Sequence, residues 1–96
     1  MAGSRSLPDP RGRSLARLLN LETVPQDRAR LAALIADRAT QLGAALADEA
    51  MRSDDVHDEP SANRYLELRL RMLADLMPAG ALPELRRAFV ERVRSW

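Results

Sequence analysis

Between residues 60 and 77, apolar side chains recur at helical spacing and cover more than one face. An α-helix turns by about 100° per residue, so these side chains fall into two neighbouring stripes. The first stripe contains Leu66, Leu70, Leu73 and Met77, and the second contains Tyr65, Leu68, Met72 and Leu76. Together they span an arc of roughly 200°, about twice what a helix on a protein surface needs. We therefore expect this helix to be covered on two sides.

A longer helix is predicted over residues 25–52. Thr23 and Gln26 have the spacing of a capping box, in which each side chain bonds the other residue's backbone N–H. The apolar positions that follow at helical spacing are Leu31, Ile35, Leu42 and Leu46. We expect these leucines and the isoleucine to face a core.

A row of small residues runs beside those leucines, in the pattern Ala39-x-x-x-Gly43-x-x-x-Ala47. Small side chains at this spacing allow a second helix backbone to approach closely, a feature best known from membrane helix dimers. The row therefore predicts a tight helix contact, either within the chain or across a dimer.

Proline and charged residues separate the remaining elements. The segment 53–59 (Ser-Asp-Asp-Val-His-Asp-Glu) is too polar for a core and is predicted to be a loop. Pro78 stops one helix and Pro83 suits the first turn of the next, so the last helix should cover 83–95. A short helix is expected to follow Pro10 and to end near Leu21. Its apolar contacts would be Leu15, Leu18 and Leu19.

The predicted fold is all-α: an antiparallel bundle of three main helices (25–52, 60–77 and 83–95) plus a short N-terminal helix. Only three aromatic residues are present, and no stretch alternates apolar and polar residues as a half-buried strand would. Residues 1–10 are expected to be a disordered basic arm and 11–96 a single domain. Because one neighbouring helix cannot cover both stripes of 60–77, we expect a homodimer.

The composition excludes several classes of protein. The chain has no cysteine, so it has neither disulfides nor thiolate metal sites. No apolar run approaches the ~20 residues needed to span a bilayer, and the N-terminus lacks the apolar segment of a signal peptide. We therefore expect no membrane contact and a cytoplasmic location.

All fifteen basic residues are arginine, and the formal net charge is only +1. The charges are unevenly distributed. Residues 1–20 carry four Arg and one Asp (+3), residues 21–59 carry four Arg and nine acids (−5), and residues 60–96 carry seven Arg and four acids (+3). These segments can attract each other within one molecule or between two, whereas the small total argues against a general polyanion binder.

Little in the sequence suggests catalysis. The cluster Asp54-Asp55-x-His57-Asp58-Glu59 contains metal-ligand residue types and could hold a divalent cation. A single His without a partner at helical spacing makes a solvated acidic linker the better interpretation. No Ser or Thr nucleophile is placed to use His57 as a base. We expect no enzyme activity, no cofactor and no metal.

Two arginines interrupt the apolar faces. Arg69 falls inside the arc of 60–77, where it either extends towards solvent along its stem or pairs with Asp48, Glu49 or a carboxylate of a second subunit. An anion contact is a further possibility. Arg38 lies on the leucine side of the long helix, and antiparallel packing would bring it near Asp75.

The function favoured by these patterns is protein–protein interaction, as an adaptor, assembly factor or regulatory subunit. The partner would be a second copy or another protein. The predicted interface combines the two stripes with the small-residue row: Tyr65, Leu66, Leu68, Leu70, Met72, Leu73, Leu76, Met77, Ala39, Gly43 and Ala47. The alternative is a regulator that contacts nucleic acid. It would use the arginines of the N-terminal arm and the last helix, namely Arg5, Arg11, Arg13, Arg17, Arg86, Arg87, Arg92 and Arg94.

Overall fold

A computed structural model describes residues 10–96, with the exception of Val24 and Gln26. This part of the chain contains helices and no strands, so the all-α prediction is confirmed. The α-helices are α1 (Pro10–Leu18), α2 (Arg28–Asp37), α3 (Ala39–Met51), α4 (Glu59–Met72) and α5 (Leu82–Arg94), and a 3₁₀ turn covers Ala79–Ala81. The predicted arm 1–10 lies outside the described residues except for Pro10, which begins α1.

The short N-terminal helix ends three residues earlier than predicted, at a left-handed residue. Asn20 has φ 57°, a conformation that Asn tolerates better than most residues. The N–H of Asn20 donates to the carbonyl of Arg17 at 3.2 Å, and that of Leu21 to the carbonyl of Ala16 at 2.9 Å. These two bonds form a Schellman motif, which satisfies carbonyls that the helix end leaves open.

The predicted helix 25–52 is wrong in two respects. It begins at Arg28, because Asp27 caps it by accepting a hydrogen bond from the N–H of Ala29 at 2.9 Å. The predicted cap Thr23 lies before the helix, and its partner Gln26 is outside the described residues. The chain also leaves the helical conformation at Arg38 (φ −120°, ψ 33°), so that α2 and α3 are separate. Neither Pro nor Gly stands at this break, so tertiary packing produces it: α2 packs against the 3₁₀ turn while α3 packs on α5.

The fourth helix begins one residue before the predicted start and ends five residues before the predicted end. Asp58 and Ser61 form a capping box, with the N–H of Ser61 donating to Asp58 Oδ1 at 2.9 Å. At the other end, Pro78 disfavours helical conformation at the preceding residue. The chain tightens into turns after Met72, where the N–H of Leu76 donates to the carbonyl of Leu73 at 2.9 Å.

Cross-helix contacts define the directions of the last three helices. Gly43 of α3 lies against Ala88 of α5, and further along both helices Asp48 pairs with Arg92. The helices α3 and α5 therefore run in the same direction. The helix α4 runs opposite to α5, because its start pairs with the end of α5 and its middle pairs with the beginning of α5. These two ion pairs are Glu59–Arg94 and Glu67–Arg86.

The core lies between α3, α4 and α5, and α1 closes one side of it. Its largest fully buried side chains are Phe89, Leu15, Leu19, Ile35, Leu42, Leu46, Leu73 and Leu85. The helix α5 agrees with its prediction within one residue at each end. Its apolar side is buried at Leu85, Phe89 and Val93.

Candidate interaction surface

The two stripes of α4 have different environments. Leu66, Leu70 and Leu73 are buried, and Met77 is half-buried. In the second stripe, Leu76 is buried and Tyr65 is half-buried, but Leu68 and Met72 are exposed. Both exposed side chains keep more than half of their accessible surface, 51% for Leu68 and 57% for Met72. They lie one helical turn apart beside Tyr65, and we call these three residues the α4 face.

The small-residue row is used inside the chain. Ala39, Gly43 and Ala47 are all buried, and Gly43 lies against α5. A Cβ atom on Gly43 would lie 2.9 Å from the Cβ of Ala88 and closer still to the carbonyl oxygen of Leu85. Only glycine permits this approach of the two backbones, so the row serves the contact between α3 and α5.

The α4 face has basic surroundings. Arg64 and Arg71 are exposed on one flank of it. Between them in sequence, Glu67 is neutralised by Arg86, which holds the pKa of that carboxyl below its usual value. In the turns that follow α4, the guanidinium groups of Arg11 and Arg28 both bind the carboxylate of Asp75, at 3.1 Å and 3.2 Å. On the flank of Arg64 and Arg71, Glu67 therefore does not offset the charge of these two exposed guanidinium groups, because it faces Arg86.

Arg69 joins three helices at the edge of the α4 face. Its Nε donates to Oε1 of Glu49 on α3 at 3.1 Å, and its Nη2 donates to Oγ of Ser14 on α1 at 3.1 Å. Glu49 was one of the two carboxylates of this chain considered for it, and Ser14 was not anticipated. The guanidinium is largely shielded from water, with 16% of the side chain exposed. This cluster secures α1 and α4 to α3.

Tyr65 is also part of this cluster. Burial and a hydrogen bond to the Glu49 carboxylate raise the pKa of the Tyr65 phenol to about 12. Both causes favour the neutral phenol, because phenolate would be desolvated and would face a carboxylate. Tyr65 therefore remains a hydrogen-bond donor throughout the physiological pH range.

Arg38 does not contact Asp75 as the antiparallel alignment suggested, because Arg11 and Arg28 hold that carboxylate. It lies at the break between α2 and α3, where its backbone N–H donates to the carbonyls of Leu34 and Ile35. No ion pair of its side chain occurs within the described part of the chain. What Arg38 contributes here is the backbone conformation that separates α2 from α3.

The arginines of α5 are all engaged in ion pairs. Arg86 pairs with Glu67, Arg92 with Asp48 at 2.9 Å and Arg94 with Glu59 at 3.2 Å. Arg87 has a longer contact, 3.7 Å, with Glu84 on the same helix. A carboxylate beside each guanidinium lowers the net positive potential that a phosphate would meet at this helix. Of the N-terminal arginines, Arg13 and Arg17 are exposed on α1, and Arg5 lies outside the described residues.

In the acidic segment after α3, Asp58 has a structural role. Asp58 caps α4, and hydrogen bonds from the side chain and backbone of Ser61 lower the pKa of its carboxyl. Asp54, Asp55 and His57 are exposed. Across the residues that the structure describes, no three His, Asp or Glu side chains converge as a cation site would need.

A second exposed apolar patch was not anticipated from the sequence. Met51 ends α3 and Trp96 follows α5, and they are exposed to 48% and 45% respectively. The register set by Gly43–Ala88 and Asp48–Arg92, continued along the two helices, brings them to the same level. We call Met51 and Trp96 the end patch. The sequence placed Trp96 on the apolar side of α5, but only the shared direction of α3 and α5 brings Met51 to the same end of the molecule.

None of the described helices combines the length and the apolar character that crossing a bilayer requires. Comparison with models of protein families, with curated proteins and with solved structures found no match to this chain. Its function must therefore be argued from its own residues.

Proposed function

We propose that this chain is a non-enzymatic protein-interaction module, a small helical bundle that binds a partner protein through the α4 face. The observation that carries the proposal is the exposure of Leu68 and Met72 on adjacent turns of one helix. Placing two long apolar side chains in water is unfavourable by about 25 cal/mol for each Å² of apolar surface. A partner that covers them recovers this free energy.

The surroundings of the face suit a partner better than a small molecule. Tyr65 lies beside the two apolar side chains, half-buried, and its hydroxyl is held by Glu49. An aromatic ring with one polar end is typical of protein interfaces. The Arg69–Glu49–Ser14 cluster anchors α1 and α4 to α3, so the face is preorganised and loses little entropy on binding.

Homodimer formation, expected from the sequence, remains one form of this proposal. The sequence argument counted both stripes and the small-residue row as surface in need of cover. With Leu66, Leu70, Leu73, Leu76 and the small residues buried in the chain, the surface left for a partner is narrower. Contact with nucleic acid stays the alternative prediction. The arginines of α5 favour it less, because they are paired with carboxylates, whereas Arg13 and Arg17 are exposed on α1.

The test is a double variant, Leu68→Gln with Met72→Gln, because glutamine keeps helix propensity and removes the apolar surface. The control is Ala33→Gln, at an exposed position on α2. Analytical ultracentrifugation across a wide concentration range measures self-association. We expect the native chain and the control to associate alike and the double variant to remain monomeric. Equal association of all three would refute a role for the α4 face in self-association.

If the native chain stays monomeric, the next experiment looks for a different partner protein. Photo-crosslinking from position 68 then identifies what covers the face in cells, and purified partner is titrated against the native chain and both variants. Loss of binding in the double variant alone supports the proposal. Unchanged binding overturns it.

A further inference from the structure

We propose that the α4 face of one copy binds the end patch of a second copy, so that the chain associates head to tail. This inference rests on the proposed function, since it identifies the partner of the same face. It differs from a symmetric dimer, in which each copy would use the α4 face against itself.

Symmetric antiparallel pairing through the α4 face is electrostatically unfavourable. When two identical helices pack face to face and antiparallel around a two-fold axis, each flank meets the same flank of its partner. The flank that carries Arg64 and Arg71 would then lie beside its own copy. Like charges that meet across an interface repel each other and weaken it.

The end patch offers the opposite charge beside an apolar surface. The loop after α3 places the exposed carboxylates of Asp54, Asp55 and Asp58 at this end of the molecule. The helices α3 and α5 also both end here, and each contributes the partial negative charge of a helix C-terminus. Against these stand Arg52, which is exposed, and Arg94, which is paired with Glu59. His57 in the same loop is also exposed.

The two surfaces therefore match in both apolar character and charge. Leu68 and Met72 would cover Met51 and Trp96, a thioether–aromatic combination that packs favourably. Arg64 and Arg71 would face Asp54 and Asp55. Each surface is left exposed by the fold of its own chain, and together they account for Leu68, Met72, Met51 and Trp96, which are the large apolar side chains that the described part of the chain exposes.

A head-to-tail contact leaves one unused surface at each end of a pair. Such an interface continues into a closed ring or an open chain rather than stopping at two copies. We therefore expect the weight-average mass to exceed that of a dimer as concentration rises. Association should also weaken with salt, because the charged rims are exposed and screened.

Charge exchange tests the contact directly. One variant carries Arg64→Glu and Arg71→Glu, and the other carries Asp54→Arg and Asp55→Arg; all four positions are exposed. Each variant alone presents two surfaces of like charge, so its dissociation constant should rise by at least about tenfold. An equimolar mixture restores opposite charges at every contact and should associate as the native chain does. Circular dichroism and thermal melting of each variant establish that it is folded.

Trp96 provides an independent readout, since it is the only tryptophan of the chain. Its fluorescence should shift to shorter wavelength as the native chain associates, because the indole leaves water. The shift should be absent in the Leu68→Gln, Met72→Gln variant, although that variant leaves the end patch intact.

The outcomes separate this inference from the proposed function. Rescue in the mixture supports head-to-tail association. Native-like association of the Asp54→Arg, Asp55→Arg variant alone overturns it and leaves the α4 face as a symmetric interface. A native chain that remains monomeric at millimolar concentration also overturns it, while binding of a different protein to the α4 face would preserve the proposed function.

Discussion

Gly43 of α3 lies so close to Ala88 of α5 that a Cβ atom on Gly43 would come within 2.9 Å of the Ala88 Cβ. The carbonyl oxygen of Leu85 is closer still. Because part of the obstruction is backbone, relief requires the two helices to move apart. At position 43 the contact between α3 and α5 therefore leaves no room for a side chain.

Gly43→Ala should therefore destabilise the fold, although alanine is the better helix former by about 1 kcal/mol. Overpacking of a tight core typically costs about 1–3 kcal/mol, so we expect a lower urea midpoint. The control is Gly80→Ala, where an added Cβ meets nothing within 4 Å and stability should be unchanged or slightly higher. A stability gain for Gly43→Ala would contradict the close approach.

Leu70 and Leu68 provide a second comparison, on a single helix. Leu70→Ala should reduce the free energy of unfolding by about 2–5 kcal/mol, because its side chain is 7% exposed and packs in the core. Leu68→Ala, at 51% exposure, should change stability by no more than about 0.5 kcal/mol. Urea unfolding of the dilute monomer measures both. Equal losses would mean that the two stripes of α4 have been assigned to the wrong environments.

The Arg69–Glu49 pair should contribute more than the exposed ion pairs. Arg69→Met removes the guanidinium that bonds both Glu49 and Ser14, and it should lower stability by about 1–3 kcal/mol. Arg87→Met, which removes the 3.7 Å surface contact with Glu84, should lie within about 0.5 kcal/mol of the native chain. A double-mutant cycle with Glu49→Gln measures the coupling, and a coupling near zero would rule out the contact in solution.

The ionisation of Tyr65 can be followed without interference, because it is the only tyrosine. We expect its absorbance titration to have a midpoint near pH 12, against an ordinary value of 10.0. The folded chain then retains a proton that the unfolded chain has lost, so stability should fall as pH rises from about 10 to 12. Glu49→Gln should move the midpoint down, whereas Glu84→Gln should not. A midpoint near 10 in the native chain would contradict the environment described for Tyr65.

Much of the helical organisation could be predicted from local signals. Helix boundaries are marked by Pro10, Pro78 and Pro83. Proline lacks an N–H and fixes φ, so it affects only its neighbouring residues. The side of α5 that contains Leu85, Phe89 and Val93 was identifiable because its apolar residues recur at a single helical period. The acidic loop 53–59 was equally clear, although Glu59 belongs to α4.

Other features depend on contacts between residues far apart in sequence. The break at Arg38 has no local breaker and follows from where α2 and α3 pack. The sequence predicted that Gly43 contacts either another helix of the same chain or a second subunit. In the structure, α5 of the same chain lies against Gly43. Leu68 and Leu70 are equally apolar in sequence, so only the positions of α3 and α5 decide which one is buried.

By itself, the sequence determined that this chain is helical, where α5 begins and ends and where α4 begins, and that the apolar surface of α4 is unusually wide. Those properties follow from backbone propensity and from periodicity, which act over a few residues. Tertiary structure decided the shared direction of α3 and α5, the pairing of Arg69 with Glu49, and the exposure of Leu68, Met72, Met51 and Trp96. These features depend on how the helices pack in space, and the spacing of residues along the chain does not specify that packing.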